Sequence, residues 1–250
     1  MLRRHYVDCP FGQLHVTTDE DASADAPPLI MMNSRMRSSL PLLAQLSRRH
    51  RPIIVDIPGM ALSSPPPRGS SMPDVASCLL ALLDEWGIER TNIFGMHTGH
   101  KIASAFAAAR PDRVGRLVVA GKTHSLVAPR EARNATMQGY IAKRPPDVLL
   151  TQVEGKFVDD PTAMAGNEAI YAANFAFDFA GALATIHAPT LILEIVSDEE
   201  DREIGRRGET LAALMPDAET VAVPQIETAG LQCYIGSDKI AGIIDAFLLR

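Results

Sequence analysis

Residues 91–110 read Thr-Asn-Ile-Phe-Gly-Met-His-Thr-Gly-His-Lys-Ile-Ala-Ser-Ala-Phe-Ala-Ala-Ala-Arg. The apolar pair Ile93-Phe94 leads into Gly95-Met96-His97-Thr98-Gly99, and an Ala-rich helical pattern follows at once. This spacing predicts a strand, a sharp turn and a helix: a nucleophile elbow, which displays one reactive side chain at its apex. The two glycines stand two residues either side of that apex, where a Cβ would collide with the neighbouring strand or helix. The apex carries an imidazole, His97, where such a turn normally carries serine.

At the start of a helix the positive end of the dipole disfavours imidazolium, so a neutral ring is expected at His97. A neutral imidazole facing a pocket can act as a general base or as a nucleophile. Backbone amides at the same helix start, Thr98 among them, could stabilise an oxyanion. Asp198 or Glu227, brought in by later loops, could orient the ring and balance its charge once it takes a proton. The plain alternative is a relic histidine packed in a protein without catalysis, since histidine tolerates strained backbone better than most residues. Strain of this kind is usually kept for use.

Asn33, Ser34 and Arg35 follow an apolar run and should face the same pocket. Arg35 could pair with a carboxylate or phosphate of a ligand, or it could start a surface helix. Ser34 could be a displaced nucleophile if a base lies nearby. His124 belongs either to the pocket mouth or to a surface hinge. Met96 and Thr228, beside His97 and Glu227, complete the expected substrate-binding set. His97 and His100 are three apart, and with His124 and Asp198 they form a conceivable metal set. His100 lies beyond Gly99 and should point toward the flank of the sheet, so neither metal nor other cofactor is expected.

The elements that must position these residues are legible. Arg4–Cys9 and Gln13–Thr18 read as an antiparallel hairpin turning at Pro10-Phe11-Gly12. Leu29–Met32, Ile53–Val55, Leu117–Ala120, Thr190–Ile195 and Thr220–Val223 read as buried parallel strands. Helices are expected over Leu40–Arg49, Asp74–Trp86, Thr98–Ala109, Glu203–Met215 and Asp238–Leu249. Residues 122–185 look mostly helical, broken at Pro129, Pro145-Pro146 and Pro161, and read as an inserted cap. The core is then residues 1–121 and 186–250, an α/β domain with helices on both faces of the sheet. In the cap, Tyr171, Phe175, Phe177 and Phe179 either line an apolar pocket or pack cap to core.

Composition narrows the partners. The 250 residues are 46% hydrophobic and 22% charged with a net charge of −6, which suits one large globular domain. The densest basic run, Arg48-Arg49-His50-Arg51, is short enough to be a solvated helix end, so no nucleic acid is expected. Cys9, Cys78 and Cys233 are far apart in sequence and read as reduced thiols of a cytoplasmic protein. The first residues carry no apolar stretch of signal-peptide length, and no run is long enough for a bilayer. The expected partner is a small-molecule substrate, with a homodimer allowed.

Four pieces together carry a family resemblance. Asp56-Ile57-Pro58-Gly59-Met60-Ala61-Leu62-Ser63 resembles an Asp-x-Pro-Gly-x-Gly-x-Ser turn, with Ala61 in place of its second glycine. The elbow follows, then Pro111-Asp112-Arg113-Val114, then Ala188–Leu193 with Ser197-Asp198. In this order and spacing the chain resembles the α/β-hydrolase-fold superfamily over nearly its whole length. The resemblance implies a mostly parallel sheet, helices on both faces and a small helical cap. It also implies that Asp198 is the acid, and that a catalytic histidine should follow Val223-Pro224. The chain reads Gln225-Ile226-Glu227-Thr228 there, and no histidine occurs after His187. The family's His-Gly oxyanion segment falls at Asn33-Ser34. A serine relay is therefore missing from its usual places.

Three functions remain open on this reading. The first is an enzyme acting on a small carbonyl compound with His97 as base, by hydrolysis or by cofactor-free lyase or decarboxylase chemistry. The second is a catalytically degenerate ligand-binding or interaction protein. The third is a metal-dependent hydrolase.

Overall fold

The computed structural model describes residues 1–33, 36–121, 151–153, 156–158, 161–196, 206–224 and 238–250. The chain runs through β1 (Leu2–Cys9), β2 (Gly12–Asp19), β3 (Pro28–Asn33), α1 (Met36–Leu46), β4 (Arg51–Asp56) and α2 (Met72–Glu85). Then come β5 (Thr91–Met96), α3 (Thr98–Ala109), a 3-10 turn (Pro111–Arg113), β6 (Val114–Ala120), β7 (Thr151–Val153) and β8 (Lys156–Val158). The last elements are α4 (Pro161–Ala176), α5 (Phe179–Leu183), β9 (Thr190–Val196), α6 (Gly208–Ala212), β10 (Ala218–Pro224) and α7 (Asp238–Leu248).

Unbroken apolar runs such as Leu29-Ile30-Met31-Met32 need cover on both faces, and the sheet supplies it. Its eight strands lie in the order β1-β2-β4-β3-β5-β6-β9-β10. The β1-β2 and β2-β4 pairs are antiparallel, and the rest of the sheet is parallel. Side chains alternate across the pleat. Ile30, Met32, Ile53 and Val55 enter the apolar layer with α2 and α3. Leu29, Met31 and Ile54 enter the opposite layer with α1 and α7. This is the α/β-hydrolase architecture expected from sequence.

Topology sets the place of the site. β3 lies between β4 and β5, so the chain winds one way from β3 to β4 and the other way from β3 through β5 to β6. A crevice opens at the carboxyl ends of strands at such a switch point. Asn33 ends β3 and Met96 ends β5, so both stand at that edge.

Some elements differ from expectation. α1 starts at Met36, four residues before Leu40, and contains Pro41, which has no N–H to bond back one turn. Of the helix expected over Glu203–Met215 the described residues hold α6, at whose start the Glu194 carboxylate on β9 accepts the amides of Arg207 (2.5 Å) and Gly208 (2.8 Å). Residues 122–185 are not purely helical. β7 and β8 pair antiparallel with Gln152 opposite Phe157. The local sequence explains it: β-branched and aromatic residues flank Glu154-Gly155, a two-residue hairpin signal.

Two loops near the site are tightly held. Gly59, after β4, meets Gly166 of α4 so closely that a Cβ on Gly59 would lie 2.7 Å from the Gly166 oxygen. The turn after β4 is also tied to β2. His15 and Asp56 are buried and bonded Nδ1 to Oδ2 at 2.8 Å, and Asp56 also accepts the Leu62 amide at 3.2 Å. Ser63 Oγ donates to the Asp56 carbonyl at 2.8 Å and accepts the His15 amide at 2.9 Å.

Within this turn Ala61 has φ +49°, a left-handed conformation. An L-residue there costs roughly 1–2 kcal/mol. Ala61→Gly removes that cost and loses about 0.5–1 kcal/mol of chain entropy. The expected outcome is a protein more stable by up to about 1 kcal/mol, read as a thermal midpoint raised by roughly 2–4 °C. A lower midpoint contradicts this account of the turn.

Candidate functional site

The site begins with the backbone at residue 97. His97 has φ +52° and ψ −122° and stands at the N-cap of α3 without a side-chain capping bond. Its amide donates to the Ala120 carbonyl at 3.0 Å, and its own carbonyl accepts the His100 amide at 3.1 Å. The flanking glycines are forced. A Cβ on Gly95 would lie 2.6 Å from the Gly99 oxygen, and one on Gly99 would lie 2.4 Å from the Met32 oxygen. A third glycine, which the sequence reading did not single out, completes the turn. Gly121 has φ +99°, and a Cβ there would lie 2.7 Å from His97 Nδ1. The imidazole therefore rests over the end of β6, half-buried. A glycine directly after an apolar strand was the available signal.

His100 turns into the core beside β6. It is fully buried, its Nδ1–H donates to the Ala120 carbonyl at 3.0 Å, and its ring centroid lies 5.1 Å from that of Phe179. One carbonyl, Ala120, thus takes bonds from both the His97 amide and the His100 ring. His100 has its pKa pushed down to about 3, first by burial, then by the Lys101 charge and slightly by His97, with the Ala120 bond opposing. It is neutral at ordinary pH.

Thr98 opens α3, so its amide is one of the first free N–H groups of the helix. Its buried Oγ1 accepts from Asn174 Nδ2 of α4 at 3.2 Å. Asn174 also offers its backbone carbonyl to Lys101 Nζ at 3.1 Å. Lys101 is buried, with its ammonium 5.8 Å from the ring centroids of both Phe175 and Phe179. The last turn of α4 thereby grips the first turns of α3 at two points. Neither Lys101 nor Asn174 was anticipated. The signal for Lys101 was a lone charge four residues on from His97 in an otherwise apolar helix, hence on the same face.

Other expectations resolve in part. Met96 ends β5 and its side chain is buried in the apolar layer on the α1 and α7 side, so the elbow uses its backbone. Phe179 is in the core layer with α2 and α3, Phe177 packs against that layer, and Phe175 is buried with its ring beside Lys101 of α3. Asn33 ends β3, paired with Asp56 of β4, next to the Met32–Gly95 pair. Ser34, Arg35, His124, Asp198, Glu227 and Thr228 lie outside the described residues. β9 and β10, whose last residues precede Asp198 by two and Glu227 by three in the sequence, end at the same edge of the sheet as the elbow. Among the described residues no group of three or more His, Cys, Asp or Glu side chains could hold a metal, while two ligands of the conceivable set, His124 and Asp198, are outside them. No helix among the described residues is long and apolar enough to cross a membrane.

Comparison with known proteins bears on the fold. The model of the alpha/beta hydrolase fold family matches residues 30–165. An uncharacterized carboxylesterase, nap, of Bacillus subtilis is 32% identical over 130 residues, 50% of this chain and 40% of that protein. A 2-hydroxy-6-oxononadienedioate/2-hydroxy-6-oxononatrienedioate hydrolase of Pseudomonas putida is 43% identical over 86 residues, 34% of this chain and 29% of that protein. The matches thus span less than half the length of these relatives. In fold, the chain is similar to an esterase of Thermogutta terrifontis (TM-score 0.70, 17% identity, 99% and 98% covered). It is also similar to an enol-lactonase of Burkholderia xenovorans LB400 (TM-score 0.66, 19% identity, 98% and 100% covered).

His100 gives the site a pH signature. Its proton affinity is depressed in the fold and ordinary in the unfolded chain, so below about pH 6.5 the unfolded state takes up a proton that the fold refuses. Stability contributed this way is complete above pH 6.5 and is lost as pH falls toward 3. At pH 5 the loss is about 2 kcal/mol. Urea unfolding at pH 7 and pH 5 should show a smaller drop for His100→Gln than for the parent; an equal drop contradicts the assignment.

Proposed function

The chain belongs to the alpha/beta hydrolase fold family, and from that premise we propose that it is an enzyme hydrolysing a small carbonyl-bearing molecule with His97 as general base. One observation carries the reading: a half-buried imidazole at φ +52°, on a turn where three glycines leave no room for a Cβ. Backbone held in this region costs of order 1–3 kcal/mol and persists where it serves a site. The relatives named as a carboxylesterase and as a hydrolase of an oxo-dienedioate support a carbonyl carbon as the point of attack.

In the proposed mechanism the neutral His97 ring takes a proton from water as the water oxygen attacks the carbonyl carbon. The resulting oxyanion accepts from the Thr98 amide at the helix start, with a second donor from the segment after Asn33. The imidazolium then returns its proton to the leaving group. Asp198 or Glu227 steadies the charged ring from the neighbouring strand ends. Residues 122–185 act as the cap, and α4 closes over the elbow through Asn174 and Lys101. The base needs no serine, so the same arrangement serves proton abstraction in a lyase or decarboxylation step.

The test is turnover of an activated aryl ester, a lactone and a β-keto acid by the parent and by His97→Ala. We expect kcat/KM to fall at least about 100-fold with the circular dichroism unchanged. A parent silent on all three substrates, or a variant as active as the parent, overturns the proposal in favour of a binding protein.

A further inference from the structure

β1 and α2 lie against each other with a simple register. The inward positions of β1 are His5, Val7 and Cys9, since Val7 is buried and the other two are partly so, while their neighbours are exposed. On α2 and just beyond it, Cys78, Leu82 and Trp86 are spaced four apart and so share one face. The rings of His5 and Trp86 meet edge to face, centroids 5.4 Å apart. From His5 to Cys9 a strand advances about 13 Å. From Trp86 back to Cys78 a helix advances about 12 Å. The match brings Cys9 opposite Cys78, and Cys9 packs against the apolar cluster that holds Cys78. Both are free thiols; Cys78 sits in the apolar layer and Cys9 packs at its margin.

We propose that Cys9 and Cys78 are a modification site: a pair that peroxides close into a disulfide joining β1 to α2, and that thiols reopen. Cys9 is half-exposed and reacts first. Burial, together with the neighbouring Cys9, raises the Cys78 thiol and keeps it from reacting alone. The Cys9 thiolate attacks one peroxide oxygen, the O–O bond breaks, and hydroxide leaves, giving a sulfenic acid. The Cys78 sulfur then attacks the Cys9 sulfur and water departs with the Cys78 proton. In sum two thiols lose two electrons and two protons, and one peroxide becomes two waters. Closure brings the two facing sulfurs to about 2.05 Å. The bridge would fasten the first hairpin to the helix that packs beside α3. This inference is independent of the hydrolytic reading.

The test treats the parent protein with stoichiometric hydrogen peroxide and maps its peptides without reduction. We expect one linked pair containing Cys9 and Cys78, a loss of two hydrogens in the intact mass, and reversal by dithiothreitol. The thermal midpoint should rise by about 5 °C or more in the oxidised form. Cys9→Ser, at a half-exposed position, should show neither change. A link to Cys233 instead, or Cys9 carried to sulfinic acid while Cys78 still alkylates after unfolding, overturns the proposal.

Discussion

The arrangement depends on one backbone carbonyl. The Ala120 oxygen, at the end of β6, accepts the His97 amide and the His100 Nδ1–H, both at 3.0 Å. The first bond holds the left-handed turn from outside the helix, and the second holds the helix that follows it. Around these two bonds Gly95, Gly99 and Gly121 provide the space that any side chain would fill. Left alone, a histidine at φ +52° would relax and withdraw its ring. The strain is sustained because relaxing it would break bonds among buried groups, where an unmade hydrogen bond is costly.

A second layer couples the turn to α4. Lys101 would be an expensive buried charge without partners. It is offset by the Asn174 carbonyl, in the last turn of α4, where the helix end is negative, and by two nearby aromatic rings. Asn174 reaches Thr98 with its side chain as well. The approach of Gly166 to Gly59 locks the same helix to the turn after β4. A movement of α4 would therefore be felt at the residue directly after His97.

Much of the framework was legible because it rests on local rules. Apolar runs without alternation announced parallel strands, and the glycine spacing announced the turn. The helix expected over Thr98–Ala109 is observed with those bounds. What the sequence concealed depends on contacts between distant segments. At the start of α6 the Arg207 amide bonds to Glu194, thirteen residues upstream. Burial of His100 and Lys101 cannot be read from an Ala-rich helical pattern, because it depends on α5 and α4 arriving later in the chain. The β7–β8 pair is too short, three residues a strand, for its alternation to stand out beside the prolines around it. At the site, His97, Thr98 and the end of β3 stand at one edge of the sheet, whereas Asp198 and Glu227 lie outside the described residues.

The central claim is that an imidazole is presented at the apex of the turn to whatever enters the crevice. Carbethoxylation with diethyl pyrocarbonate, followed by peptide mapping, measures this residue by residue. His187 is exposed and serves as the fast reference, while His15, His50 and His100 are buried and serve as the slow one. The account predicts that His97 reacts on the timescale of His187 while the fold is intact. Modification of His97 at the rate of the three buried histidines would contradict it.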